Sequence, residues 1–172
     1  MSIVANKNKL LKSIKFYSDF LKTVDEETFL LSPPDVGWSL SEVYSHILSV
    51  NFFSRIAMEK CLNKTAEIKT RKPDWRVRLI LFLGKFPPGK LKAPDQIASV
   101  VKKISKEDAS NQLIKLQKKI EGIDNKLPRF HPDYKMKHPR LGYLDAKSWL
   151  RFMLVHNRHH EKQILRIGKK LT

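Results

Sequence analysis

Three histidines near the C-terminal end of this 172-residue chain carry the clearest potential for chemistry. They are His156, His159 and His160, in the stretch HNRHH. His156 and His160 are four positions apart, about one helical turn, so their rings project from the same face of a helix. Two neutral imidazoles placed in this way can bind one divalent metal ion, each through one ring nitrogen. The alternative is a group of polar side chains on a basic helix.

The residues around these histidines predict that two of them face the core. A helix turns by ~100° per residue, and with Trp149 set at zero one group falls within ~60° of that direction. This group consists of Phe152, Met153, His156, His160, Ile164 and Ile167. His159 lies at the edge of this apolar face. A second group is predicted to face solvent from the opposite side: Arg151, Arg158 and Lys162.

A fourth histidine, His46, belongs to another predicted helix. Val43, Val50, Phe53 and Ala57 cluster around its direction, which predicts that it also faces the core. An unpaired imidazole in a core costs on the order of 1–3 kcal/mol, and a metal ion shared by three rings removes that cost. Because spacing alone does not show that the two helices touch, core histidines with ordinary hydrogen-bond partners remain the alternative.

Four segments with helical periodicity must position these side chains. They cover approximately residues 7–24, 39–62, 106–123 and 145–169. Ser39 and Glu42 have the spacing of a capping box at the start of the second segment. The residues Ser32-Pro33-Pro34-Asp35 break the chain before it. The pattern predicts an all-α four-helix bundle formed by a single domain, residues 1–172, and no series of strands.

The connection between the second and third predicted helices, residues 63–105, is long and basic. It contains WRVRLILFLGKFPPGK, residues 75–90, in which an apolar pentamer is flanked by arginines and lysines. We expect a short helix or lid that packs on the bundle, and the alternative is a segment that lies on a membrane surface. The apolar run is too short to cross a bilayer.

The chain is strongly basic, with 34 Lys and Arg against 17 Asp and Glu and a formal net charge of +17. Such a charge attracts polyanions, so a nucleic-acid-associated protein is one alternative function. We expect a solvated basic surface instead, because the lysines are dispersed and no zinc-finger, helix-turn-helix or RNA-binding motif is evident. A single cysteine, Cys61, and an N-terminus without an apolar signal run are typical of a cytoplasmic protein.

Three blocks of the sequence resemble the DinB/YfiT-like superfamily of metal-binding four-helix bundles. GWSLSEVYSHI, residues 37–47, is similar to the start of its second helix, and HNRHHEKQI, residues 156–164, is similar to its fourth-helix motif. KHPRLGYLDAKSW, residues 137–149, looks like the lead-in found in one uncharacterised branch. The resemblance implies an up-down-down-up bundle with a long crossover between the second and third helices, a role that residues 63–105 could fill.

The resemblance also implies a site and a range of activities. The implied ligands of one divalent ion, zinc or nickel, are His46, His156 and His160, whereas His159 occupies a position that the family does not use as a ligand. Members include thiol-dependent transferases and isomerases and proteins regarded as hydrolases. The implied partner is therefore a small-molecule substrate, with a low-molecular-weight thiol as one candidate. The sequence itself leaves a homodimer open.

Three histidine ligands leave coordination positions open, which is typical of catalytic rather than structural zinc. The sequence therefore favours a metal-dependent thiol S-transferase or hydrolase over a non-catalytic binding protein that the metal only stabilises. Glu42, one turn before His46, is a weak candidate for the general base, and the capping box is its favoured role. Gln163 is a weak candidate for orienting a ligand or substrate, and its favoured role is a hydrogen bond that supports a metal ligand or links two helices.

Three further side chains lie close to the predicted site in sequence. His138 precedes a proline before the fourth helix, and we interpret it as an anchor of that loop rather than a residue of the site mouth. Trp38 and Trp149 each stand near a helix start, and we interpret both as core anchors.

Overall fold

The computed structural model describes residues 2–33, 37–87 and 101–171. Four long helices form the bundle: α1 Ile3–Lys22, α3 Leu40–Leu62, α5 Lys106–Glu121 and α6 Ala146–Leu171. The connections contain the short helices α2 Glu26–Leu30 and α4 Trp75–Leu83 and the 3-10 helix Asp124–Arg129. The predicted all-α four-helix bundle is confirmed. Residues 34 and 35 of the predicted chain break and residues 88–100 of the predicted basic connection lie outside the described residues.

Serine caps explain why α3 and α5 begin where they do. The Ser39 hydroxyl accepts a hydrogen bond from the Glu42 backbone N–H at 3.2 Å, and the Glu42 carboxylate accepts one from the Ser39 N–H at 2.8 Å. This is the predicted capping box, and it satisfies two backbone donors that would otherwise lack partners. Ser105 caps α5 by accepting a hydrogen bond from the Asp108 N–H at 3.0 Å.

Buried tyrosines tie three of the long helices together. The Tyr17 hydroxyl on α1 donates to the backbone carbonyl of Asn157 on α6 at 2.6 Å. The Tyr44 hydroxyl on α3 donates to the carbonyl of Tyr17 at 2.8 Å, and the two rings meet edge to face. Both α1 and α3 also pack on α5 and on α6. Helices α3 and α6 are therefore neighbours. The spacing of residues in the sequence could not establish this contact.

A small antiparallel sheet corrects the prediction that no strand series is present. Strand β1 Glu67–Ile68 pairs with β2 Tyr134–His138, and β2 pairs with β3 Gly142–Asp145. The strands are short, and Lys135 fills the buried position of β2 where an apolar residue would reveal the alternation. The Lys135 ammonium is satisfied there because it donates to the backbone carbonyls of Lys69 and Arg71.

The buried face of α3 is rotated from the predicted one. Buried residues centre on Ile47 and Ser54, about 100° around the helix from His46. His46 thus lies at the edge of this face, and Phe53, on its far side, is 64% exposed rather than in the core. The prediction for Phe53 was wrong because the direction of His46 was taken as the centre of the face.

Helix α4 is the predicted short helix packed on the bundle, and it changes the environment of α6. Val77 and Leu81 are its buried residues. Arg151, predicted to face solvent, is buried, and its guanidinium donates to the carbonyls of Leu81 at 2.7 Å and Phe82 at 3.2 Å. Two carbonyls of α4 thus accept hydrogen bonds from the guanidinium. No helix in the described ranges is long and apolar enough to cross a membrane.

Candidate metal centre

Three of the predicted site residues converge where α3 faces α6. The Nε2 atom of His156 lies 3.1 Å from Nε2 of His46 and 3.2 Å from Nε2 of His160. Among the described residues, these three histidines form the one group of potential ligand atoms compact enough for a single ion. The helical spacing places His156 and His160 on adjacent turns of α6, and the packing of α3 on α6 brings in His46.

The two separations from His156 fit a shared ion, and all three ligand nitrogens lie within 4.8 Å of one another. Two nitrogens that each lie ~2.05 Å from an ion with tetrahedral angles are about 3.3 Å apart. The observed separations of 3.1 and 3.2 Å agree with that value. The same type of ring nitrogen, Nε2, points inward from all three residues. The donor set therefore suits a divalent ion that accepts imidazole nitrogen, such as zinc or nickel.

Burial keeps the three rings in the neutral form that offers a lone pair. It lowers the pKa of His46 to about 4 and the pKa of His160 to about 3, with smaller effects from neighbouring histidines. Burial also holds the pKa of His156 well below its usual value. All three residues are buried, with only 5% to 8% of the surface of each exposed.

Gln163 sets the tautomer of His160. Its side-chain oxygen lies 2.6 Å from Nδ1 of His160, one turn back along α6. Because a carbonyl oxygen can only accept, Nδ1 carries the proton and Nε2 keeps its lone pair. A partner of this kind is the usual way in which proteins orient a metal-binding imidazole. In the described part of the molecule, the Nδ1 atoms of His46 and His156 are buried without such an acceptor.

A pair of buried asparagines that the sequence analysis did not identify connects the two helices of the site. The Asn51 side-chain nitrogen on α3 donates to the Asn157 side-chain oxygen on α6 at 2.8 Å and to the carbonyl of Ile47 at 2.9 Å. Asn157 directly follows His156, so this contact holds α3 and α6 in a fixed register beside the histidines. The one feature of the sequence that could have indicated this pair is that each of the two histidine-bearing helices contains a single asparagine.

The other predicted residues have structural contacts. Glu42 is engaged in the capping box. His159 lies outside the cluster, with its ring edge-on to Phe86 at 5.6 Å and to His160 at 5.0 Å. Nδ1 of His138 accepts from the backbone N–H groups of Arg140 and Leu141, both at 3.1 Å, so this residue anchors the turn between β2 and β3.

The two tryptophans near the site have different environments. Trp149 is buried, and its ring contacts those of His138 and Phe152. Trp38 is half-buried, and its ring lies 5.4 Å from that of His46. Trp149 is thus a core anchor as predicted, whereas Trp38 forms part of the wall around a histidine of the cluster.

Comparison with known proteins places this bundle in a family. No curated protein matches the chain. The crystal structure of TT2238, a four-helix bundle protein, matches with a TM-score of 0.53 and 16% identity, over 96% of this chain and 99% of that one. This likeness supports the fold. The family model of the DinB superfamily matches residues 12–164, which include all three clustered histidines and most of the bundle. The chain belongs to the DinB superfamily.

Proposed function

We propose that this chain is a metal-dependent enzyme in which His46, His156 and His160 hold one divalent ion, zinc or nickel. We propose further that it acts as a thiol S-transferase or a hydrolase on a small molecule. Members of the superfamily typically bind divalent metals, and this chain has three histidines close together. Because the members of the superfamily include thiol-dependent transferases, thiol transfer is the first choice of reaction.

The observation that carries the proposal is the central position of His156 Nε2 between two other Nε2 atoms. A ring nitrogen has one site in the ring plane, which holds either a proton or a lone pair. It can therefore form one good hydrogen bond, but His156 Nε2 has two close ring-nitrogen neighbours. Hydrogen bonding alone leaves one of these contacts unsatisfied for any choice of tautomers. Three lone pairs directed at one cation satisfy all three nitrogens at once.

When bound, such an ion would lower the pKa of a thiol or water in an open coordination position and so provide a nucleophile at neutral pH. The residues of the chain prepare the site. Gln163 keeps the proton of His160 on Nδ1, and burial keeps the cluster neutral. Trp38 covers the ring of His46. Glu42 has no catalytic role in this mechanism, because its carboxylate already accepts hydrogen bonds from Ser39 at the start of α3.

Cobalt substitution followed by absorption spectroscopy tests the reaction type. Low-molecular-weight thiols are added to the cobalt-loaded protein in a Cys61→Ala background, so that the protein's own sulfur cannot contribute. Thiol transfer predicts a sulfur-to-cobalt charge-transfer band. If cobalt is bound and no thiol produces the band, thiol transfer loses its basis, and hydrolysis or a purely structural metal becomes the leading interpretation.

A further inference from the structure

Helix α4 has two apolar faces, of which the bundle covers one. Val77 and Leu81 pack inward, and Arg151 of α6 binds the carbonyls of Leu81 and Phe82. Gly84 ends the helix in the left-handed conformation, with φ of 69°. These contacts hold α4 on the bundle in one orientation, so the direction of its other face is defined.

The opposite face of α4 is apolar and directed away from the bundle. Its side chains are exposed: Trp75 by 63%, Leu79 by 46%, Phe82 by 81% and Leu83 by 57%. At ~100° per residue these four positions span about 100° of the helix, roughly opposite Val77 and Leu81. A contiguous apolar face of this kind marks a surface that another apolar phase or partner covers.

Positive charge surrounds this face. Arg76 and Arg78 lie on its two sides, and both are exposed. Residues 69–85 contain six lysines and arginines and a single acidic residue, Asp74. The Asp74 carboxylate caps α4 by accepting a hydrogen bond from the Arg76 N–H at 2.9 Å. The edges of the face are therefore complementary to an anionic surface.

A basic cleft adjoins the first turn of α4. It has a volume of about 680 Å³, and Trp75 lines both the cleft and the apolar face. The basic side chains that line it are Lys69, Arg71, Lys72 and Arg140. Within the described ranges, Arg71, Lys72 and Arg140 form no ion pair with a carboxylate, whereas Lys69 pairs with Glu67 at 3.1 Å. The cleft thus offers cationic groups to an anion beside the apolar face.

The backbone beside this cleft is held in place. Lys135 donates to the carbonyls of Lys69 and Arg71, which ties the segment before α4 to the sheet. The backbone that carries Lys69 and Arg71 is therefore held beside the apolar face. A partner that binds both the cationic groups and the apolar face must carry negative charges next to an apolar layer.

We infer that α4 and the adjoining cleft form a docking surface for a bilayer rich in anionic phospholipids. The apolar face enters the boundary between headgroups and acyl chains, with Trp75 at the depth that tryptophan prefers. Arg76, Arg78 and the cleft residues bind headgroup phosphates. A nucleic acid would match the positive charge of this surface but not the four apolar side chains at the centre of the surface. This inference is independent of the proposed metal chemistry.

Vesicle co-sedimentation tests the inference with the 172-residue chain. Vesicles of phosphatidylcholine alone are compared with vesicles that also contain phosphatidylserine. We expect binding at least tenfold stronger to the anionic vesicles. The variant Leu79→Ser/Phe82→Ser should lose at least tenfold in binding, and the control Phe52→Ser/Phe53→Ser, which removes two exposed aromatic rings from α3, should bind as wild type does. Circular dichroism verifies that each variant is folded.

A second pair of variants separates a specific surface from general attraction by the net charge. Arg76→Gln/Arg78→Gln should weaken binding to anionic vesicles several-fold more than Lys118→Gln/Lys119→Gln, which removes the same charge from the exposed side of α5. Equal losses in the two pairs, or full binding by the Leu79→Ser/Phe82→Ser variant, would overturn the inference. The inference would also be overturned if the protein dimerises without lipid and the Leu79→Ser/Phe82→Ser variant does not. A second copy of the chain would then be the partner that covers this face.

Discussion

The side-chain oxygen of Gln163 lies 2.6 Å from Nδ1 of His160 and holds that ring with its Nε2 lone pair directed at His156. If the cluster binds metal, this hydrogen bond increases the affinity, because an oriented imidazole loses less freedom when it becomes a ligand. The bond also rests on a side chain that makes no direct contact with the proposed ion, so it can be removed without removing a ligand.

We therefore predict that Gln163→Ala lowers the affinity for zinc or nickel by about 10–100-fold. Gln163→Glu should keep most of the affinity, since a carboxylate accepts the same bond. Competition with a metal indicator measures the dissociation constants. Gln117→Ala, on the exposed side of α5, is the matched control and should bind as wild type does. An unchanged affinity in Gln163→Ala would show that the hydrogen bond has no role in metal binding.

The asparagine pair between α3 and α6 should contribute to stability as a unit. Asn51→Ala and Asn157→Ala should each lower the free energy of unfolding by about 1–3 kcal/mol, because each leaves a buried polar partner unsatisfied. The double variant should cost less than the sum of the two, with a coupling of roughly 0.5–3 kcal/mol. Urea unfolding of the four proteins measures this cycle, and strictly additive losses would contradict a shared contact.

His138 should make the stability of the hairpin turn depend on pH. Burial lowers its pKa to about 4 in the folded state, against a usual value near 6.5, with a smaller effect from Arg140. The unfolded chain therefore takes up a proton at this residue before the folded chain does. The contribution of neutral His138 to the free energy of unfolding is therefore fully present above pH 6.5 and is lost as the pH falls toward 4.

The variant His138→Phe isolates this effect because it keeps an aromatic ring against Trp149 and Phe152 but lacks the acceptor nitrogen. At pH 7 we expect it to be less stable than wild type by roughly 1–3 kcal/mol. The gap should narrow as the pH falls to 5, by up to about 1 kcal/mol per pH unit. Urea unfolding at several pH values measures it, and a constant gap would show that His138 does not titrate in this range.

Cys61 should be inert in the folded protein. Its thiol is buried, and desolvation raises its pKa to about 11, so little thiolate forms at neutral pH. It also lies fifteen positions after His46 on α3, or about 22 Å along the helix axis, too far to reach the cluster. A chromogenic disulfide reagent should label it in denaturant but only slowly in buffer. Fast labelling of the native protein would contradict the packing around Cys61.

Local signals in the sequence predicted the helices well, because the Ser39 capping box and the apolar spacing of α1, α5 and α6 are encoded by neighbouring residues. The contact between His46 and the α6 histidines joins residues that are 110 positions apart in the sequence, so local patterns do not encode it. Only the resemblance to a known family predicted it. Residue spacing failed to predict the burial of two side chains. Arg151 is buried because α4 packs over it, and Phe53 is exposed because the buried face of α3 is not centred on His46. Strand β2 was missed because its buried side chain is a lysine.

The metal content of protein purified without a histidine tag tests the central claim most directly. Mass spectrometry of metals is applied to the wild type, to His46→Ala, His156→Ala and His160→Ala, and to the control His159→Ala, each after exposure to zinc or nickel and removal of excess. We predict about one ion per chain in the wild type and in His159→Ala and a large loss in the other three. A wild type without bound metal, or undiminished metal in any of the three ligand variants, would contradict the three-histidine site.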